Sequence, residues 1–151
     1  MHIYIDADAC PVTKTVISEA QQKHIQVTLV KSFNHFSHDQ QGEGVHTIYV
    51  DSGSDAADYR ITALVSRGDI VITQDFGLAS LCLAKGCYVL HHKGFAYTNA
   101  NIDRLLANRH ASAKARRAGY KTKGPKAFTE EDEVAFKRLL IQTIASAEKA
   151  E

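Results

Sequence analysis

Short runs of β-branched and other apolar residues recur along this chain, and most of the intervals between them read as helix. That alternation narrows the fold more than any other feature. Ile3-Tyr4-Ile5, Ile25 to Val30, His46 to Val50, Ile70-Val71-Ile72-Thr73 and Cys87-Tyr88-Val89-Leu90 have the length and composition of strands. A helix is predicted from Val12 to about Lys23, opened by Pro11, whose preset φ suits a position that needs no N–H. A second is predicted from about Asp55 to Arg67, with Ala57, Ile61, Leu64 and Val65 on one face, and a third from Leu78 to Lys85, stopped by Gly86. Strands alternating with helices imply a parallel sheet with right-handed crossovers, so the predicted class is α/β with five mainly parallel strands.

The remaining stretches fill in around that sheet. Lys31 to Gly44 shows no period and reads as a loop holding Asn34, His35 and His38. From Asn101 to about Ala118 a helix is predicted with Ile102, Leu105 and Leu106 on its apolar side; Gly119 to Lys126 then reads as a basic loop. Thr129 and Asp132 have the spacing of a capped start for a final helix, whose Phe136, Leu139, Leu140 and Ile144 face inward. At 151 residues and 44% hydrophobic the chain has material for one core, and a single domain over 1–151 is expected. No apolar run reaches membrane-spanning length, and Asp6 and Asp8 interrupt any signal-peptide pattern, so the expected location is the cytoplasm. Three cysteines without metal or redox spacing fit reduced thiols.

Acids gather where such a sheet would place ligands, beyond the carboxyl ends of its strands. Asp6, Asp51 and Asp75 each follow a strand, Asp8 lies in the turn after the first, and Asp55 and Asp58 begin the helix leading towards Asp75. Carboxylates gathered in one crevice repel one another, and a hard divalent cation such as Mg²⁺ or Mn²⁺ relieves that repulsion. Each acid also has a plain structural use. Asp8 and Asp55 can cap helices, Asp58 suits the positive end of its helix, Asp51 can simply turn the chain, and Asp69 precedes its strand at the opposite sheet edge. Asp6 and Asp75 resist that reading best.

The net charge of +1 hides an asymmetry. Between Arg104 and Lys126 there are eight basic residues and no acid, whereas ten of the 17 acids precede residue 100. A basic helical part from about residue 101 beside an acidic crevice suits a polyanionic partner, with Lys14, Arg109, Lys114, Arg116, Arg117, Lys121, Lys123 and Lys126 as candidate phosphate contacts. Cys10 stands at a helix start without the arginine spacing of a phosphatase loop, so a packed or phosphate-adjacent thiol is expected. Cys82 sits in an apolar run and reads as core. His91 and His92 border the predicted crevice, and no zinc-type spacing occurs.

Asp6-Ala7-Asp8-Ala9-Cys10-Pro11, Asp55-Ala56-Ala57-Asp58-Tyr59-Arg60-Ile61, Gly68 to Ala79 and Gly124-Pro125 together resemble the bacterial YaiI/YqxD family over nearly the whole chain. More distantly, a strand ending in Asp6, a helical Asp58 and Thr73-x-Asp75 followed by Leu78-Ala79 resemble PIN and NYN ribonuclease domains. That second resemblance implies a PIN-like three-layer α/β/α sandwich and a Mg²⁺ or Mn²⁺ site. Carried over, Asp6 and Asp75 would be ligands and Asp58 and Asp8 would complete the catalytic cluster, with Asp55 beside them. The family pattern often has a Glu on an early helix, and Glu19 lies too far along its helix to match. The expectation is a metal-dependent ribonuclease or related phosphodiesterase. Two alternatives stand beside it: an RNA-binding or regulatory module without turnover, and a haloacid-dehalogenase-type phosphatase, suggested by Asp6-x-Asp8 and Thr73 but lacking the later acid pair.

Overall fold

The structure is a computed structural model that describes residues 1–36, 42–53, 55–121 and 126–151. His38, Lys123 and Gly124-Pro125, which the sequence singled out, lie outside the described residues. Among the described residues six strands form one sheet in the order β3-β2-β1-β4-β5-β6, where β1 is Ile3–Asp6, β2 Val27–Ser32, β3 Val45–Val50, β4 Ile70–Ile72, β5 Tyr88–His91 and β6 Phe95–Tyr97. All neighbours pair in parallel except β5 and β6. Five α-helices accompany them among the described residues: α1 Thr13–Gln22, α2 Ala56–Leu64, α3 Phe76–Ala84, α4 Ile102–Arg117 and α5 Glu130–Ala150, with a single 3-10 turn at Phe33–His35 after β2.

Period-two alternation divides the core between the two sheet faces. Ile3, Ile5, Ile70 and Ile72 pack on one side with Val16 and Ala20 of α1 and Phe136, Leu140 and Ile144 of α5. Tyr4 and Val71 point the other way, into Ala57 and Ile61 of α2, Leu78 and Cys82 of α3 and Ile102 of α4. Strands buried on both faces explain why β1 and β4 read as unbroken apolar runs.

The sixth strand corrects the five-stranded expectation. Phe95–Tyr97 is three residues long and folds back antiparallel on β5 through the turn at His92-Lys93-Gly94. Gly94 adopts φ +96°, and a Cβ there would come within 2.7 Å of Ala135 on α5. Only a tight turn under that helix lets so short a segment pair, and three residues carry too little pattern to announce it. The capped start of α5 matches its prediction: Thr129 Oγ1 accepts the Asp132 amide and Asp132 accepts the Thr129 amide. By contrast α3 begins at Phe76, two residues before its predicted start, because Asp75 is its N-cap.

Strand order positions the site. From β1 the chain moves outward through β2 to β3; α2 then carries it back to β4, on the other side of β1, and it continues outward to β5. The carboxyl ends of β1 and β4 therefore flank the point where the winding reverses, the place at which open α/β sheets leave a crevice.

Candidate active site

β1 ends in Asp6, and β4 leads through Thr73 to Asp75, so two carboxylates arise on adjacent strands at that reversal point. Thr73 joins them: its Oγ1 donates to Asp6 Oδ2 at 3.0 Å and accepts the Asp75 amide at 3.0 Å. The buried Tyr97 hydroxyl of β6 donates to the Thr73 carbonyl at 3.1 Å, so the unforeseen strand braces the site. Asp75 Oδ1 accepts the Leu78 amide at 3.0 Å and lies 3.6 Å from Arg109 Nη1 of α4.

Asp58 enters from the first turn of α2. Burial, followed by the charges of Asp75, Asp6 and Asp55, pushes its carboxyl up to about 6, with Arg109 pulling it down. Burial also raises Asp6, aided by Asp75 and Asp8 and opposed by the Thr73 hydrogen bond. Asp6, Asp58 and Asp75, 69 positions apart at the extremes, thus share one electrostatic environment.

The other acids have different surroundings. Asp8 Oδ1 accepts the Ser32 amide at 2.9 Å, pinning the turn after β1 to the end of β2; α1 has Val12 at its N-cap, so Asp8 does not cap that helix. Asp55 occupies the N-cap position of α2 without a side-chain capping bond and is exposed, as is Asp51. Asp69 lies at the opposite edge as expected, accepting the amides of His2 and Ser66.

Carboxylate oxygens are the donors a hard cation takes. Among the described residues, no three His, Cys, Asp or Glu side chains stand as a ready ligand set for one ion. Mg²⁺ characteristically keeps several waters and uses one or two carboxylates, and a pair from Asp6, Asp58 and Asp75 suits that habit better than a dedicated cage.

A cavity of about 890 Å³ adjoins the acids. The turn after β1 forms one side, the end of β5 the floor, and α4 a wall carrying Leu105, Arg109, Ser112 and Arg116 at helical spacing. Lys126 and Phe128 complete it. Of the predicted phosphate contacts, Arg109, Arg116 and Lys126 meet here. Lys14 lines a separate groove with Glu19, Glu130 and Glu133, an acidic setting, and exposed Lys114, Arg117 and Lys121 are not among the cavity's lining residues. Cys10 also lines the cavity; burial raises its thiol, which marks a packed, protonated group. His91 and His92 border the cavity as expected but are only 9% and 8% exposed. Sequence reading did not single out Phe128, Asn108 or Ser112, whose place here depends on how α4 and the segment before α5 pack.

The fold and this edge define an α/β protein with an acidic cluster at the winding reversal of a mostly parallel sheet and a cation-lined cavity beside it. The chain belongs to the family described as "Uncharacterized BCR, YaiI/YqxD family", whose model matches residues 4–146. It is 60% identical over 144 residues to the UPF0178 protein OB0454 of Oceanobacillus iheyensis, covering 95% of this chain and 99% of the relative. It is 59% identical over 145 residues to the UPF0178 protein BCE33L2782 of Bacillus cereus, covering 96% and 99%. No solved structure matches the chain. Among the described residues, no helix is long and apolar enough to cross a membrane.

Proposed function

We propose that the protein is a metal-dependent nuclease acting on RNA, built as a PIN-like three-layer α/β/α sandwich. The observation that carries this reading is the coupling of Asp6, Asp58 and Asp75 at the reversal of the strand order, where Asp58 is held at about 6 by burial and by its acidic neighbours. A fold that keeps carboxylates in mutual repulsion has a use for the cation that would neutralise them. Two of Asp6, Asp58 and Asp75 would hold Mg²⁺ or Mn²⁺ directly and the third through the ion's waters, with Asp8 and Asp55 at the margin. When bound, such an ion supplies an activated water and charge neutralisation at a phosphodiester.

The chain's own groups do the rest. Thr73 fixes the Asp6 carboxylate and the backbone at Asp75, so both acids are held before substrate arrives. Arg109, paired with Asp75, brings a fixed positive charge to the edge of the cluster, where a phosphate gains charge during cleavage. Arg116 and Lys126 extend that field along the cavity.

The test is cleavage of a labelled single-stranded RNA with Mn²⁺ present. Wild type is expected to cut, and Asp6→Asn combined with Asp75→Asn is expected to fall to the uncatalysed background while keeping its circular dichroism and melting cooperativity. Cleavage unchanged in that variant would reject the assignment. One second reading, an RNA-binding module without turnover, is supported by Arg109, Arg116 and Lys126 along the cavity, which would engage phosphates with or without a cation at the acids. Salt-sensitive RNA binding that survives chelation, with no cleavage, is its signature. The phosphatase alternative wants paired acids after a later strand, and β5 ends instead in His91-His92.

A further inference from the structure

The cavity beside the acids combines an aromatic surface with a cationic one. Its floor includes a chain of touching rings: Phe95 stacks on His91 at 4.6 Å and 14°, His91 meets His92 at 4.4 Å, and His92 meets Phe128 edge-on at 5.8 Å. Facing it, α4 presents Asn108, Arg109, Ser112 and Arg116, and Lys126 lies at the rim. Both histidines are more than nine-tenths buried, yet they line the cavity. His91 Nδ1 accepts the Lys93 amide at 3.0 Å, which assigns its proton to Nε2. Burial, with the nearby His92 and Lys93, pushes His91 down to about 4, and burial lowers His92 as well. At neutral pH the rings of the floor are therefore uncharged, and the positive charge around them comes from Arg109 and Arg116 of α4, Lys93 and Lys126, with Asp8 the one acid among the described lining residues. Inorganic phosphate would use only the cations, and a neutral aromatic molecule only the rings.

We propose that this cavity binds one nucleoside monophosphate unit, its base against the His91, His92 and Phe128 rings and its phosphate on Arg116 and Lys126. Stacking on rings is tolerant of base identity, and guanidinium groups pair with phosphate in a forked geometry, so both halves of the ligand find a matching surface. A volume of about 890 Å³ lies within the range of small-molecule sites and admits one nucleotide with its waters. Arg109 both lines the cavity and pairs with Asp75, so a unit held here adjoins the acidic cluster. Its role as the nucleotide subsite of a nuclease rests on the function proposed above; the binding itself does not.

The experiment is a titration of the full-length protein in chelator with AMP, adenosine and inorganic phosphate, followed by calorimetry and amide NMR shifts. AMP is expected to bind at least tenfold more tightly than either part, with shifts at His91, His92 and α4. Arg116→Ala with Lys126→Ala is expected to weaken AMP at least tenfold and leave adenosine within twofold; His92→Ala is expected to weaken both AMP and adenosine. AMP no tighter than inorganic phosphate, or AMP affinity indifferent to Arg116 and Lys126, overturns the proposal. A 5′-phosphorylated RNA tetramer that binds with the same Arg116 dependence identifies the unit as part of a strand, and one that is excluded while AMP binds identifies a free nucleotide. Protein that binds AMP in this way yet never cleaves RNA removes the nuclease reading and keeps the cavity; protein that cleaves RNA but fails the AMP comparison does the reverse.

Discussion

Asp69 and Asp75 stand at opposite ends of the same three-residue strand, and their surroundings differ in kind. At the amino edge, Asp69 Oδ1 accepts the His2 amide at 3.0 Å and Oδ2 the Ser66 amide at 2.8 Å, so a buried carboxylate ties the start of β4 to the start of β1. Both of its oxygens are engaged by backbone donors. At the carboxyl edge, Asp6 has one hydroxyl, Asp75 one amide and a guanidinium, and Asp58 no hydrogen bond to its side chain among the described residues. Backbone dipoles neutralise the first site, whereas the second keeps three like charges near one another. One acid holds the fold together; the others are held by it. That contrast, more than the number of acids, distinguishes a structural carboxylate from a candidate ligand.

The same substitution should therefore act with opposite sign at the two ends. Asp69→Asn places an NH₂ against one of two buried amides, and Asp69→Ala abandons both, so a loss of about 2–4 kcal/mol is expected for Ala and about half that for Asn, measured by urea unfolding. Equal stability of Asp69→Ala and wild type would erase the distinction. At the other edge, Asp58 binds its proton more tightly when folded than its ordinary value of 3.8 allows in the unfolded chain. Stability should fall as the pH rises from about 4 to about 6, and the penalty should persist above that. Because the site is half-open to water, the full shift is screened, and Asp58→Asn is expected to gain about 1 kcal/mol at neutral pH. Below about pH 4 variant and wild type should converge. A destabilised Asp58→Asn at neutral pH would mean that its charge is satisfied after all.

How much of this could be read from the residues follows from the range of the interactions. Asp6 and Asp75 were legible because strongly apolar strands announce their own ends, and Asp58 because it opens a helix between two of them. Asp69 was legible as a turn residue for the same reason, from the opposite side of its strand. The winding reversal was not, since strand order depends on which edges pair, and β6 was missed because three residues carry no period. The acidic groove around Lys14 was not legible either, because the α5 glutamates that share it lie more than a hundred positions away. The burial of His91 and His92 likewise depends on Phe128 and on the hairpin turn, neither of which local composition reveals.

Asp75 is the finest test of the comparison, because it has one function of each kind. Its Oδ1 caps α3 through the Leu78 amide, a structural task that asparagine performs nearly as well, and its negative charge belongs to the coupled cluster, a task that asparagine cannot perform. Asp75→Ala is therefore expected to cost about 1 kcal/mol in thermal or urea unfolding through the lost cap, and Asp75→Asn to stay within about 0.5 kcal/mol of wild type. Both should lower the Asp58 carboxyl from about 6 towards its ordinary value, readable by NMR titration of the side chain, because the largest neighbouring charge raising it is gone. If Asp75→Asn leaves the Asp58 titration where it was, the two acids do not share an environment, and the carboxyl edge of the sheet becomes, like the amino edge, a set of separately satisfied turns.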